Sequence, residues 1–335
     1  MNYKEQYLTF EILSNGNINW CSNNNSSIHN TVEYSKNEGE WTSITASQSG
    51  VNIPVVSGDV LRFRGDNATY SNTMNRFGMF GDGKTTAQFN VSGNIMSLIN
   101  STNFSELKDF TGTYNFRALF NECRTLISAE NLILPATGLT TGCYRFLFQN
   151  CTNLTKGPQI LATTLVSESC YQMFYNCRNL NYIFSLATSG INSNNSIYNW
   201  VSGVSSTGTF VKAESATWPT GNYGIPTNWT VEYYNPFGPD TDELSFNANS
   251  GSETITFESE SAWTATTQNS WITLSKYSGE TGGEITVSVS YNQFNSRTGS
   301  VVFTDGENTA TLTVIQGVNT LVPIMKLYRG DRRIN

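Results

Sequence analysis

Apolar and polar residues alternate with a period of two at both ends of this chain, and a different, longer period occupies its middle. Tyr7-Leu8-Thr9-Phe10-Glu11-Ile12, Thr31-Val32-Glu33-Tyr34-Ser35, Gly39-Glu40-Trp41-Thr42-Ser43-Ile44 and Val60-Leu61-Arg62-Phe63-Arg64-Gly65 each place every second side chain on one face. Asn and Gly punctuate the stretches between them. Alternation broken by turn residues predicts short antiparallel strands, and so a β-sandwich over residues 1–92.

Beyond residue 92 the chain repeats itself. Leu119-Phe120-Asn121-Glu122-Cys123-Arg124-Thr125-Leu126 returns as Leu147-Phe148-Gln149-Asn150-Cys151-Thr152-Asn153-Leu154 and as Met173-Phe174-Tyr175-Asn176-Cys177-Arg178-Asn179-Leu180. A second register agrees, because Cys143-Tyr144 matches Cys170-Tyr171, and Leu134-Pro135-Ala136-Thr137-Gly138-Leu139 matches Leu161-Ala162-Thr163-Thr164-Leu165. Units of this length, each too small for its own core, predict a solenoid over 93–234 with one strand and one helical turn per repeat. Ser196-Ile197-Tyr198-Asn199-Trp200-Val201 is expected as a capping helix, with Pro219 and Pro226 marking the exit. Residues 235–240 have the composition of a linker.

Alternation resumes over 241–317. Glu253-Thr254-Ile255-Thr256-Phe257, Glu284-Ile285-Thr286-Val287-Ser288-Val289 and Ala310-Thr311-Leu312-Thr313-Val314-Ile315 are its clearest strands. Six or seven strands in so short a span predict an immunoglobulin-like sandwich. A tail, 318–335, follows. Its apolar Leu321, Val322, Ile324 and Met325, with Tyr328, form a candidate docking segment. The expected fold class is mainly β.

Composition narrows the chemistry. Among 335 residues only 13 % are charged, about half the usual share, and His29 is the single histidine. Mechanisms that need two histidines are excluded, most zinc hydrolases among them. A Ser-His-Asp triad would have to use His29, which lies in the loop-like run Asn23–Asn30. The net charge of −7 and the lack of a basic cluster before Arg329 argue against nucleic acid. No stretch reaches the length of a membrane helix, and the N-terminus shows no signal-peptide pattern, so synthesis in a cytoplasm is expected. No cofactor, metal ligand set or catalytic residue is expected.

Several motifs have plainer readings. Gly78-Met79-Phe80-Gly81-Asp82-Gly83-Lys84-Thr85 matches the phosphate-loop spelling, yet a β-like stretch follows it where a helix is required; a hairpin turn fits better. Arg64-Gly65-Asp66 and Arg329-Gly330-Asp331 read as turns. The six cysteines are even in number, but their repeat spacing suits buried reduced thiols. Asp240, Asp242, Glu243, Glu258 and Glu260 could supply a carboxylate pair for glycoside hydrolysis, but they lie in a linker and on an exposed strand face, where solvation is the simpler role. Trp263 and Trp271 are expected in the C-terminal core. Tyr277 and Tyr291, beside turns, are the candidate sugar contacts, with Asn292 next to them.

The repeat phrase Leu-Pro-Ala-Thr-x-Leu, Cys-Tyr, [Met/Leu]-Phe-x-x-Cys-x-x-Leu resembles BspA-type leucine-rich repeats of gut Bacteroidales surface proteins. Asn90–Leu98 resembles the stretch that introduces such arrays, and Trp200–Phe210 the stretch that closes them. The C-terminal module, through Trp263, Asn269-Ser270-Trp271-Ile272, Asn292, Arg297-x-Gly299 and Val314-Ile315-Gln316, is similar to BACON domains, which implies carbohydrate binding. This combination of modules resembles virion proteins of crAss-like gut bacteriophages.

The resemblance implies a structural virion protein of head-fibre or tail-fibre type, presenting adhesion modules to host-surface or mucosal glycans. Its expected partners are capsid or tail subunits, further copies of itself and carbohydrate. Neither nucleic acid nor membrane insertion is expected. The expected location is the virion, assembled in the host bacterial cytoplasm and exposed at lysis. A bacterial surface adhesin and a carbohydrate-active enzyme are the alternatives.

Overall fold

Alternating residues in the first part of the chain form β1 (Leu8–Ile12), β2 (Gly16–Asn23), β3 (Thr31–Lys36), β4 (Thr42–Thr45), β5 (Val51–Val55), β6 (Val60–Arg64), β7 (Arg76–Met79) and β8 (Phe89–Asn94). The repeats contribute β9 (Leu126–Leu134), β10 (Lys156–Ile160), β11 (Tyr182–Ser185), β12 (Thr209–Lys212) and β13 (Thr230–Tyr233). This computed structural model describes residues 3–23, 28–234, 236–259 and 261–318, and it divides between Tyr234 and Asn235 into two compact units. Strands dominate both, and no α-helix occurs among the described residues.

In the first unit, β8 is the hinge of the architecture. It pairs antiparallel with β1 and parallel with β9, so the antiparallel strands β4, β3, β6 and β1 continue directly into the parallel run from β8 to β13. The result among the described residues is a single sheet of ten strands, with β5, β2 and β7 forming a second. The boundary expected at 92/93 therefore falls inside a strand. One hydrophobic core runs from Leu8 to Trp229 and joins Phe10, Phe63 and Phe80 to Phe120 of the repeats. Local alternation announces a strand, but which neighbour it pairs with is a tertiary matter.

The return path of each repeat is not helical. Tyr114, Ala118 and Glu122 have positive φ, as do Gly142, Phe146 and Asn150, then Glu168, Gln172 and Asn176, then Asn195, Asn199 and Gly203. A left-handed residue at every fourth position breaks any helix and sets up a zigzag of tight turns. Within it Leu119 N–H donates to the Phe116 carbonyl (3.2 Å) and Cys123 N–H to that of Phe120 (3.0 Å). The intervening amides reach the next coil: Phe120 N–H to Leu147 O (3.0 Å), Phe148 N–H to Met173 O (3.0 Å), and Phe174 N–H to Trp200 O (2.8 Å). Each coil is thus hydrogen-bonded to its neighbour along both its strand and its return path. The helical turn expected per repeat, and the capping helix expected over 196–201, are replaced by this zigzag; Asn199, at φ 48°, makes the latter segment a fourth coil.

Equivalent side chains stack between coils. Phe120, Phe148 and Phe174 lie face to face with ring centroids 5.3 and 5.8 Å apart, and Trp200 on Trp218 continues the aromatic column at 5.2 Å. All six cysteines are buried and free. Cys151 Sγ donates to the Phe120 carbonyl (2.9 Å) and Cys177 Sγ to that of Phe148 (3.0 Å). Burial pushes the thiols of Cys123 and Cys170 up to about 12 and that of Cys21 up to about 11.

The second unit comprises β14 (Gly238–Pro239), β15 (Glu243–Phe246), β16 (Gly251–Glu258), β17 (Trp263–Thr266), β18 (Ile272–Leu274), β19 (Ser278–Gly279), β20 (Gly283–Val289), β21 (Arg297–Thr304) and β22 (Thr309–Gln316). One sheet orders as β14-β16-β20-β18 and the other as β15-β22-β21-β17-β19. Their inward residues meet in one core, with Ile255, Phe257, Ile285 and Val287 on one side and Trp263, Val301, Phe303 and Leu312 on the other.

Candidate functional site

The segment between β20 and β21 is the best-built exposed loop of the second unit. Asn292 holds it from within. This residue is only 2 % exposed; its Nδ2 donates to the carbonyls of Asn295 and Gly317 (2.9 Å each), and its Oδ1 accepts from Phe294 N–H (3.2 Å). Its own N–H donates to Ala248 O (2.8 Å). Gln316, fully buried, donates through Nε2 to Asn249 O (2.9 Å) and Ser290 O (3.0 Å). Arg297 donates to Gln316 Oε1 (2.9 Å) and Ser290 O (2.8 Å), and its guanidinium covers the Trp271 ring at 4.3 Å. Buried, satisfied amides of this kind fix a loop conformation.

This network presents two aromatics to solvent, Tyr291 at 49 % exposure and Phe294 at 77 %. Both are tied to the buried frame through adjacent backbone, so a flat ligand meets them without an ordering cost in the loop. Asn292, expected as a sugar contact, is instead buried and braces the loop that carries Tyr291 and Phe294; its amide has both donors engaged. Tyr277 is also exposed, with its hydroxyl accepting from Leu274 N–H (3.2 Å). Tyr277 and Tyr291 lie beyond opposite ends of β18 and do not form one surface. Phe294 is the residue the sequence reading missed, since a lone aromatic in a loop has no periodicity to betray it.

Other sequence candidates resolve differently. Trp263 fills the core against Phe257 and Phe303, while Trp271 is half-buried beneath Arg297. A second depression, of about 560 Å³, is lined by Trp263, Ser278, Glu280 and Asp305 among others. Hydrogen bonds from Asn308, Glu307 and Ser261 hold the Asp305 carboxyl well below the usual carboxylate range, which marks it as a turn anchor. Glu243 and Glu258 sit on strands of different sheets, and Glu260 lies outside the described residues.

In the first unit, the phosphate-loop spelling begins inside β7, at Gly78, and turns at Asp82 and Gly83, both at positive φ. A Cβ on Gly81 would stand 1.8 Å from Asn121 O, so this turn is packed against the first coil. Arg64 pairs with Glu33 (2.6 Å) and covers Trp41, and Asp66 accepts from Ser101 N–H (2.8 Å). His29, half-buried, lies 3.0 Å from Ser22 Oγ through Nδ1. The docking candidates Leu321, Val322, Ile324, Met325 and Tyr328, and the second Arg-Gly-Asp, lie outside the described residues.

Residues 261–317 match the BACON family model, described as "Putative binding domain, N-terminal". The matched segment contains Trp263, Asn292, Arg297 and Gln316. No curated protein is similar to the chain. Among solved structures, a Bacteroides ovatus family 5 xyloglucanase in complex with a XXXG heptasaccharide is 24 % identical over 24 % of this chain and 18 % of its own, with a TM-score of 0.23. A protein from Bacteroides thetaiotaomicron is 17 % identical over 24 % of this chain and 78 % of its own, with a TM-score of 0.18. The chain thus spans about a fifth of the xyloglucanase.

Proposed function

We propose that this protein is a structural, non-catalytic adhesion protein whose C-terminal unit binds carbohydrate through the β20–β21 loop. The observation that carries the reading is the coincidence of a BACON match over 261–317 with a pre-ordered loop exposing Tyr291 and Phe294. Aromatic faces offer the apolar surface on which the C–H face of a pyranose packs. One such loop binds weakly, and display in many copies supplies avidity.

The finer part of the proposal is a head-fibre or tail-fibre role in the virion of a crAss-like gut phage, with BspA-type leucine-rich repeats as the spacer and capsid or tail subunits and further copies of the chain as partners. Its support is the combination of repeat phrase and BACON module. The same repeat phrase favours, as second reading, a bacterial surface adhesin; capsid and portal genes beside this one would decide for the virion.

The binding test uses the full chain, immobilised in many copies, on an array of host and mucosal glycans. Binding is expected, with at least a tenfold loss in Phe294→Ala and Tyr291→Ala. No bound glycan, or binding unchanged in both variants, would overturn the carbohydrate reading.

A further inference from the structure

The outer face of the coils carries a groove that nothing above uses. It has a volume of about 380 Å³ and is lined by Glu122, Arg124, Asn150, Thr152, Asn176 and Arg178. These are two residue positions read across three coils, the left-handed residue before each ladder cysteine and the residue after that cysteine. Every lining side chain is polar. Asn176 Nδ2 donates to Asn150 Oδ1 (2.9 Å), and Arg178 Nε donates to Asn176 Oδ1 (2.9 Å). Arg178 is thereby steadied while its terminal nitrogens stay available. Arg124, also exposed, makes no side-chain hydrogen bond or ion pair among the described residues.

Spacing decides what such a groove recognises. Hydrogen-bonded coils stack about 4.8 Å apart, so the backbones of Arg124 and Arg178, two coils apart, lie roughly 10 Å apart, a spacing that their guanidinium groups can match when both engage one ligand. Guanidinium groups take carboxylate or sulfate in bidentate fashion. Between the anchors, the asparagine and threonine side chains suit hydroxyl groups, which both donate and accept. Glu122 in the groove and the net charge of −7 around it disfavour a ligand charged at every residue, such as a polyphosphate, more than one charged at every second residue.

We infer that this groove is a second binding site, specific for an acidic oligosaccharide with its anionic groups on alternate sugars. The site belongs to the repeat unit and is independent of the Tyr291 and Phe294 loop.

Hyaluronan hexasaccharide, with a carboxylate on every second residue, is the probe; neutral laminarin oligosaccharide is the control. Titration calorimetry on the full chain should show hyaluronan binding that weakens with added salt, and no laminarin binding at this site. Arg124→Gln with Arg178→Gln should weaken hyaluronan binding at least tenfold with an unchanged melting temperature, since both side chains are exposed. Lysine at both positions, keeping charge without the bidentate fork, should fall between. Phe294→Ala should leave hyaluronan binding intact, which separates this site from the loop. Failure of hyaluronan to bind the parent chain, or equal binding by the glutamine pair, would sink the inference and leave the loop reading untouched.

Discussion

At the residue scale, burial decides what a side chain is for. Asn292 was legible as a special position, but its role was not: a sequence does not say whether an asparagine faces solvent or a set of carbonyls. The cysteines show the same rule: Cys123, Cys151 and Cys177 hold one repeat position, Cys143 and Cys170 another, and all six thiols are buried and free. Their energetics are testable. A thiol raised from 9.0 to about 12, as in Cys123 and Cys170, remains neutral in the fold where the unfolded chain would ionise it. Its contribution is fully present below pH 9 and is lost as pH rises towards 12, by roughly 1.4 kcal/mol per pH unit for each such thiol. Denaturant titrations between pH 8 and 10.5 should show stability falling steadily above pH 9, and Cys123→Ala should make the fall shallower. A thiol reagent at pH 8 should leave the native protein unlabelled and modify all six cysteines once it is unfolded.

At the element scale, the zigzag return explains the composition. A left-handed residue costs about 1–2 kcal/mol unless it is Gly, Asn or Asp, and Gly142, Asn150, Asn176, Asn195, Asn199 and Gly203 occupy half of the twelve ladder positions. The repeat period was legible because stacked Phe and Cys recur. The zigzag was not, since Ala118, Phe146 and Gln172 carry no left-handed signature and are held there by hydrogen bonds that their N–H groups donate to the next coil, at the carbonyls of Arg145, Tyr171 and Tyr198. Gly142 (φ 66°) is the sharpest probe, because a Cβ there would also stand 2.4 Å from the Tyr114 ring. Gly142→Ala should cost about 2 kcal/mol or more in chemical denaturation. Gly112→Ala, at a position whose nearest neighbour is 3.9 Å away and where φ is not positive, should change stability by less than about 0.5 kcal/mol.

At the scale of the whole molecule, two cores imply two cooperative transitions. Trp263→Ala should destabilise the second unit by about 3–5 kcal/mol and shift only its calorimetric transition. A fragment of residues 1–92 should not fold, because β8 would lose β9 and the shared core would end at an open face; residues 1–234 should fold. Equal stability of the short fragment would refute the shared core. Mainly β character was legible from alternation, and the chemistry excluded by a single histidine needed only counting. The merger of antiparallel strands and coils into one sheet was hidden, because Phe89–Asn94 satisfies either partner equally well in sequence.

The doubly bonded coils also give copy number a physical length. Every coil offers its neighbours the same rows of amides and carbonyls, so loss of one repeat by unequal recombination would rejoin matching edges. Such a loss between Cys123 and Cys177 would bring Arg124 and Arg178 from two coils apart to one, about 5 Å. The charge spacing recognised on this face would then be heritable in whole-coil steps, changed by slippage in the gene rather than by replacing any single residue.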